Sequence, residues 1–124
     1  MAELGVDADK LYVNAHGTGT PMNDVGETAA FKHAFGDDAY NLHISSTKSM
    51  TGHMLGAAGA VEAIACVLAL QNNTVPPTIN LLTPDEKCDL NYTPNKAVQT
   101  ELQGAISTSL GFGGHNGCLA FRKL

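Results

Sequence analysis

The chain has 124 residues, 44% of them hydrophobic and 15% charged, the composition of a globular domain rather than of a disordered or fibrous polymer. Seven Lys+Arg against 12 Asp+Glu give a formal charge of −5 at pH 7, so there is no basic surplus to neutralise phosphates and no nucleic-acid partner is expected. Cys66, Cys88 and Cys118 are widely spaced with no CxxC pair, which argues against a zinc or redox site and suits a reducing cytoplasm.

The opening segment, MAELGVDADKLYVN, lacks the basic region and apolar run of a secretory signal. LYVNA (11–15) reads as a buried strand and is followed by the turn-rich HGTGTPMN. Asp24 is then expected to cap a helix, with Glu27 at the capping-box position and Gly36 at its end. HISST (43–47) is a second strand, leading into a long apolar helix predicted from about Gly52 to Gln71. Met54–Leu70 is apolar apart from Glu62 and approaches the length of a membrane span. It is nevertheless short, carries a carboxylate near its middle and has no positively charged flank, so no membrane partner is expected. A helix apolar all round belongs in a protein interior. Beyond Asn72-Asn73, the runs TVPPTINL, CDLNYTP, AISTSL and CLAFRK read as short β-rich segments, the last two flanking GFGGHNG.

This β-α-β-α alternation predicts an α/β fold with parallel strands covered by helices and with functional loops at the carboxyl ends of the strands, where His16 and Lys48 fall. Without repeats or linkers, residues 1–124 read as a single domain.

His16 (NAHGTGTP), His53 (STKSMTGH) and His115 (GFGGHNG) sit among Gly and Thr, whereas His33 and His43 have no such setting. Glycine lets a ligand approach an imidazole closely, and the HGTGT hydroxyls can hold an amide-bearing chain; a structural, hydrogen-bonded histidine is the plainer alternative for His16. Lys48, at a strand-to-helix loop, either balances charge in a pocket or is simply solvated. Gly52, Gly56 and Gly59 are expected on one helical face, admitting a closely packed backbone. Glu62, the one charge in the apolar helix, needs a cation, whether Lys48, an arginine or a metal ion, unless it emerges at a solvated edge. Phe112 is either a mobile gate or a core-facing ring in a hairpin turn.

Together, NAHGTGTPMND, SSTKSMTGHMLGAAGAVE, VPPTINL and GFGGHNG closely resemble the β-ketoacyl-acyl carrier protein synthases, in particular the elongating type II form of bacterial fatty acid synthesis. The resemblance spans nearly the whole chain and implies part of a thiolase-like fold, namely its C-terminal half, with a mixed sheet and covering helices. The N-terminal half, with the nucleophilic cysteine that none of Cys66, Cys88 and Cys118 matches, is absent, so the fragment alone is expected to be inactive. By similarity, His16 and His53 donate to the malonyl thioester carbonyl and stabilise the enolate formed as CO2 leaves, with Lys48 in electrostatic support. Thr18 and Thr20 correspond to the hydroxyls that hold phosphopantetheine, and Phe112 to the gating ring.

No cofactor is required, but the family can carry a monovalent cation, Na+ or K+, at positions matching Asn14, Glu62, Ser107 and Thr108. Thr108 stands where asparagine is usual, which backbone ligation would survive, and Leu110 where phenylalanine is common. HGTGT in place of HGTST is also a feature of polyketide ketosynthases. The implied partners are acyl carrier protein, the missing half and a second subunit of a homodimer. The alternatives are a polyketide ketosynthase fragment or a non-catalytic scaffold that binds the carrier protein. A cytoplasmic location, and self-association of a fragment whose apolar surface is left bare, are also expected.

Overall fold

The computed structural model describes residues 4–124; the part of the leader reading that falls on residues 1–3 lies outside them. Along the chain, β1 (Leu11–Asn14) leads to α1 (Pro21–Phe35), β2 (His43–Ser45), the single-turn α2 (Lys48–Thr51) and α3 (Ala58–Asn72). The two-residue strands β3 (Thr74–Val75) and β4 (Val98–Gln99) precede a long hairpin of β5 (Gly104–Leu110) and β6 (Asn116–Arg122). The main sheet runs β2-β1-β5-β6, with β1 parallel to both β2 and β5 and with β6 antiparallel to β5. It is therefore the mixed sheet with covering helices that was expected.

All four residues of β1 are buried, as expected of a strand bonded along both edges and covered on both faces. The period of two divides the side chains between two layers. Leu11, Val13, Ile44 and Ile106 pack with Phe31 of α1 and with Ala39 and Leu42. Tyr12 and Ala105 pack with Cys66, Ala69 and Leu70 of α3.

Several expectations are corrected. α1 begins at Pro21 with Thr20 as N-cap, three residues before Asp24, because a proline at the first helical position needs no amide partner. The predicted helix from Gly52 is broken: Gly52, at φ 72°, closes α2 by donating its N–H to the Lys48 carbonyl, and α3 starts only at Ala58. The glycine face does not form either. A Cβ at Gly52 or Gly56 would meet nothing within 4 Å, and at Gly59 only Ser109 Oγ at 3.9 Å.

Nor is α3 buried all round. Leu55–Asn72 has the span-like mean hydropathy of 1.5, and α3 uses its inner face to cover β1 and β5, leaving Ile64 and Leu68 59% and 51% exposed. CDLNYTP forms no strand. Instead the Ile44 N–H donates to the Asn91 carbonyl, and Thr93 Oγ1 donates to the Ile44 carbonyl at 2.8 Å, so this loop covers the outer edge of β2.

Candidate functional site

Because β1, β2 and β5 are parallel, their carboxyl ends lie side by side, with Asn14 aligned to Ser45 on one flank and to Ser107 on the other. The loop after β1 carries His16, and the segment after β2 carries Lys48 and His53, so residues far apart in sequence meet at one sheet edge. The His16 and His53 rings lie edge to face, with centroids 5.5 Å apart and planes at 87°.

The Leu55 N–H donates to His53 Nδ1 at 3.0 Å. With that nitrogen acting as acceptor, the neutral ring carries its proton on Nε2. His16 is buried, and its Nδ1 has no hydrogen-bond partner among the described residues. Burial, followed by the charge of Lys48, holds its pKa below the usual 6.5, so at pH 7 the ring is a neutral donor.

Lys48 and Glu62 form an ion pair whose side chains are only 4% and 2% exposed. This resolves the question of the partner of Glu62 in favour of Lys48. Glu62 Oε2 remains buried without a donor, which is where an additional cation would find a ligand. Asn14 and Ser107 alternate onto the same sheet face as Tyr12 and Ala105, the face covered by α3. These residues fit an ion, but the Thr108 hydroxyl does not. One residue beyond Ser107, it projects to the opposite layer and donates to Glu27 Oε1 at 2.8 Å, so only the Thr108 backbone is left to ligate.

The HGTGT loop folds back over the start of α1. Asp24 and Glu27 do cap backbone amides, but those of the loop rather than those of the helix. Asp24 Oδ1 accepts the Gly19 N–H at 3.2 Å, and Glu27 accepts the His16 and Gly17 N–H groups at 2.8 and 2.9 Å. Gly17 has φ 40°, and a Cβ there would lie 2.5 Å from Ser46 Cβ, so this position is closed to other residues. Thr18 and Thr20 share a 2.9 Å hydroxyl contact. Both line a cleft of about 900 Å³ together with Lys48, His53 and Cys88.

Phe112 is not brought to this cleft. It stands fully exposed at the tip of the β5–β6 hairpin, with His115 also exposed, so the core-facing alternative is excluded. Among the thiols, Cys66 is buried on the inner face of α3, which pushes its pKa up to about 12, and Cys118 is exposed on β6. Glu27 and Ser46 were not identified as site residues from the sequence, and Thr108 was assigned to a cation set rather than to the contact its hydroxyl makes with Glu27. The one available signal was a carboxylate about two helical turns past a glycine-rich loop, and this was read as a helix cap.

A family model, beta-ketoacyl synthase, C-terminal domain, matches residues 1–82. The chain is 57% identical over 112 residues to a 3-oxoacyl-[acyl-carrier-protein] synthase 2 of Synechocystis sp., covering 90% of this chain and 27% of that protein. It is 52% identical to the protein of the same name from Coxiella burnetii, covering 100% and 30%. Among solved structures, a type II PKS ketosynthase in complex with its acyl-carrier protein superposes with a TM-score of 0.91 at 39% identity, covering 96% of this chain and 29% of that one. A beta-ketoacyl synthase from Burkholderia phymatum does so with a TM-score of 0.86 at 40% identity, covering 96% and 29%. The chain thus spans less than a third of the length of these relatives and has the thiolase-like fold of their matching portion. Through the domain match, and through histidine-bearing loops that converge at one edge of a mixed sheet, the chain belongs to the beta-ketoacyl synthase family, within its C-terminal domain.

Proposed function

We propose that this chain supplies the histidine, histidine and lysine part of a 3-oxoacyl-[acyl-carrier-protein] synthase site, which performs decarboxylative condensation of an acyl thioester with malonyl carrier protein in fatty acid synthesis. The observation that carries the proposal is the 5.5 Å approach of the His16 and His53 rings. Two imidazole donors to one thioester oxygen stabilise the enolate left as CO2 departs, and they are most effective where water is excluded. Lys48 adds positive potential while its pairing with Glu62 keeps the buried charge balanced.

The nucleophilic cysteine comes from sequence outside these 124 residues. Cys66 is disqualified by burial and its raised pKa, and Cys118 by its place on an outer strand, whereas Cys88 borders the cleft and is set aside because it does not match the family's nucleophile. Thr18 and Thr20 are read as the hydroxyls that accept the phosphopantetheine arm of the carrier protein, a reading supported by their position on the cleft wall. Phe112 acts as a gate only once the nucleophile-bearing part packs against the hairpin. A Na+ or K+ ion would be held by Glu62, Asn14 and Ser107 with the Thr108 backbone, and would act as a structural countercharge. The whole enzyme is read as a cytoplasmic homodimer, and residues 1–124 as one domain of it. The bare outer face of α3 supports a packing surface there for the remainder.

The 57% and 52% identity to proteins named 3-oxoacyl-[acyl-carrier-protein] synthase 2, against 39% for the polyketide ketosynthase, favours fatty acid over polyketide chemistry. The test is malonyl decarboxylation by the chain associated with the nucleophile-bearing polypeptide. His16→Ala is expected to lower the rate by about 100-fold or more, as for loss of an oxyanion donor. An unchanged rate would leave only a carrier-binding scaffold.

A further inference from the structure

We infer that Thr78 is a positioning residue for Lys48, acting with Ser49 through the backbone of the turn that carries the lysine. The inference rests on the reading of Lys48 as the cation of the proposed site. The ion pair with Glu62 fixes the ammonium end of that side chain; the other end depends on α2, a single turn of four residues. A helix of that length does not hold itself in water. Its N-cap, Thr47, turns its hydroxyl away from the helix, where Oγ1 accepts from Asn14 Nδ2 at 3.2 Å. The place of the Lys48 backbone is therefore set by what packs against the turn.

Residues 76–97, which join β3 to β4, supply that support. Thr78 Oγ1 accepts the Ser46 N–H at 3.0 Å, before the lysine. Ser49 Oγ donates to the Ser46 carbonyl at 2.8 Å and accepts the Ile79 N–H at 2.9 Å, after it. Two successive residues of the connection thus hold the chain on both sides of Lys48. The connection is itself anchored, for Thr78 donates its N–H to the Thr93 carbonyl at 2.9 Å and its carbonyl accepts the Asn95 N–H at 2.8 Å. Thr93 is buried, donates its own N–H to Asn91 Oδ1 at 3.1 Å and sits at φ 49°. A β-branched residue keeps such a left-handed backbone only where its surroundings over-determine it.

Thr78 and Lys48 both line the cleft, so contact with substrate is the competing role for this hydroxyl. The two are separable, because a lost ground-state contact raises KM whereas a misplaced group lowers kcat. Ser46 offers a second route, since its Oγ donates to the Gly17 carbonyl at 2.6 Å and so leads toward the loop of His16. Removing the lysine distinguishes the routes: a residue that acts through Lys48 then has nothing left to position.

The experiment uses the chain associated with the nucleophile-bearing polypeptide. Thr78→Val keeps the branched shape but removes the acceptor of the Ser46 N–H, and is expected to lower kcat for malonyl decarboxylation by about 10-fold with KM changed less than about twofold. It should speed hydrogen exchange at the Ser46 amide while β1 stays protected. Ser49→Ala should act in the same direction and expose the Ile79 amide, whereas Thr78→Ser, which restores the hydroxyl, should keep kcat within about twofold. In a Lys48→Met/Glu62→Leu background, Thr78→Val should cost less than about twofold. The inference is overturned by a kcat within about twofold of the unsubstituted protein in both Thr78→Val and Ser49→Ala, by an equal loss in the two backgrounds, or by a raised KM at constant kcat. If Thr78→Val fails to fold, Ser49→Ala decides alone on the same criteria. An unaffected rate in Lys48→Met/Glu62→Leu overturns the reading of Lys48 instead, and unchanged exchange at the Ser46 and Ile79 amides would then overturn the hold on the turn as well.

Discussion

Gly17→Ala probes the narrowest point of the site. The new Cβ would meet Ser46 Cβ at 2.5 Å and Oγ at 2.6 Å on a residue whose φ is 40°. Left-handed backbone costs alanine about 1–2 kcal/mol, and overpacking between two backbone-anchored atoms costs about 1–3 kcal/mol. The variant should thus lose about 2–5 kcal/mol, a large part of the stability of a small domain. In urea, with an m-value of about 1.5 kcal/mol/M, the midpoint should fall by at least about 1.3 M with m unchanged. Second-site changes separate the two contributions. Ser46→Ala keeps the Cβ and should give no relief, whereas in a Ser46→Gly background Gly17→Ala should cost only the backbone share of about 1–2 kcal/mol. Equal costs in the two backgrounds, or a loss below about 0.5 kcal/mol in the first, would refute the steric reasoning.

Lys48→Met leaves the Glu62 carboxylate unpaired and should destabilise by about 3–5 kcal/mol, while Lys48→Met/Glu62→Leu should restore most of that loss; a double-mutant cycle in urea that shows simple additivity contradicts this. The depressed pKa of His16 means that the unfolded chain binds a proton more readily than the folded one. Its contribution to stability is then complete above pH 6.5 and is lost as pH falls through the folded pKa, a slope that His16→Gln should flatten. Iodoacetamide at pH 8 should modify Cys118 and Cys88 but leave Cys66 untouched until urea is added, as mass spectrometry would show. The chain alone should self-associate through the outer face of α3, so Ile64→Glu should lower its light-scattering mass; an unassociated unsubstituted chain would count against that surface.

The sequence by itself determined the alternation of strands and helices and the placement of His16 and Lys48 at strand ends, and it narrowed Glu62 to a cation partner or a solvated edge, because periodicity, turn chemistry and the cost of a buried charge are local properties. It also carried the family motifs. The late start of α3 was less legible, since a glycine at φ 72° ends a helix that composition alone would continue. Only the tertiary structure decided which cation meets Glu62, that Ser107 and Thr108 face opposite layers, and that Glu27 grips the amides of His16 and Gly17. Those outcomes depend on parallel register and on the return of α1 over its preceding loop. Spacing along the chain fixes neither, because a shift of one residue in pairing would exchange every side chain between the two faces of the sheet.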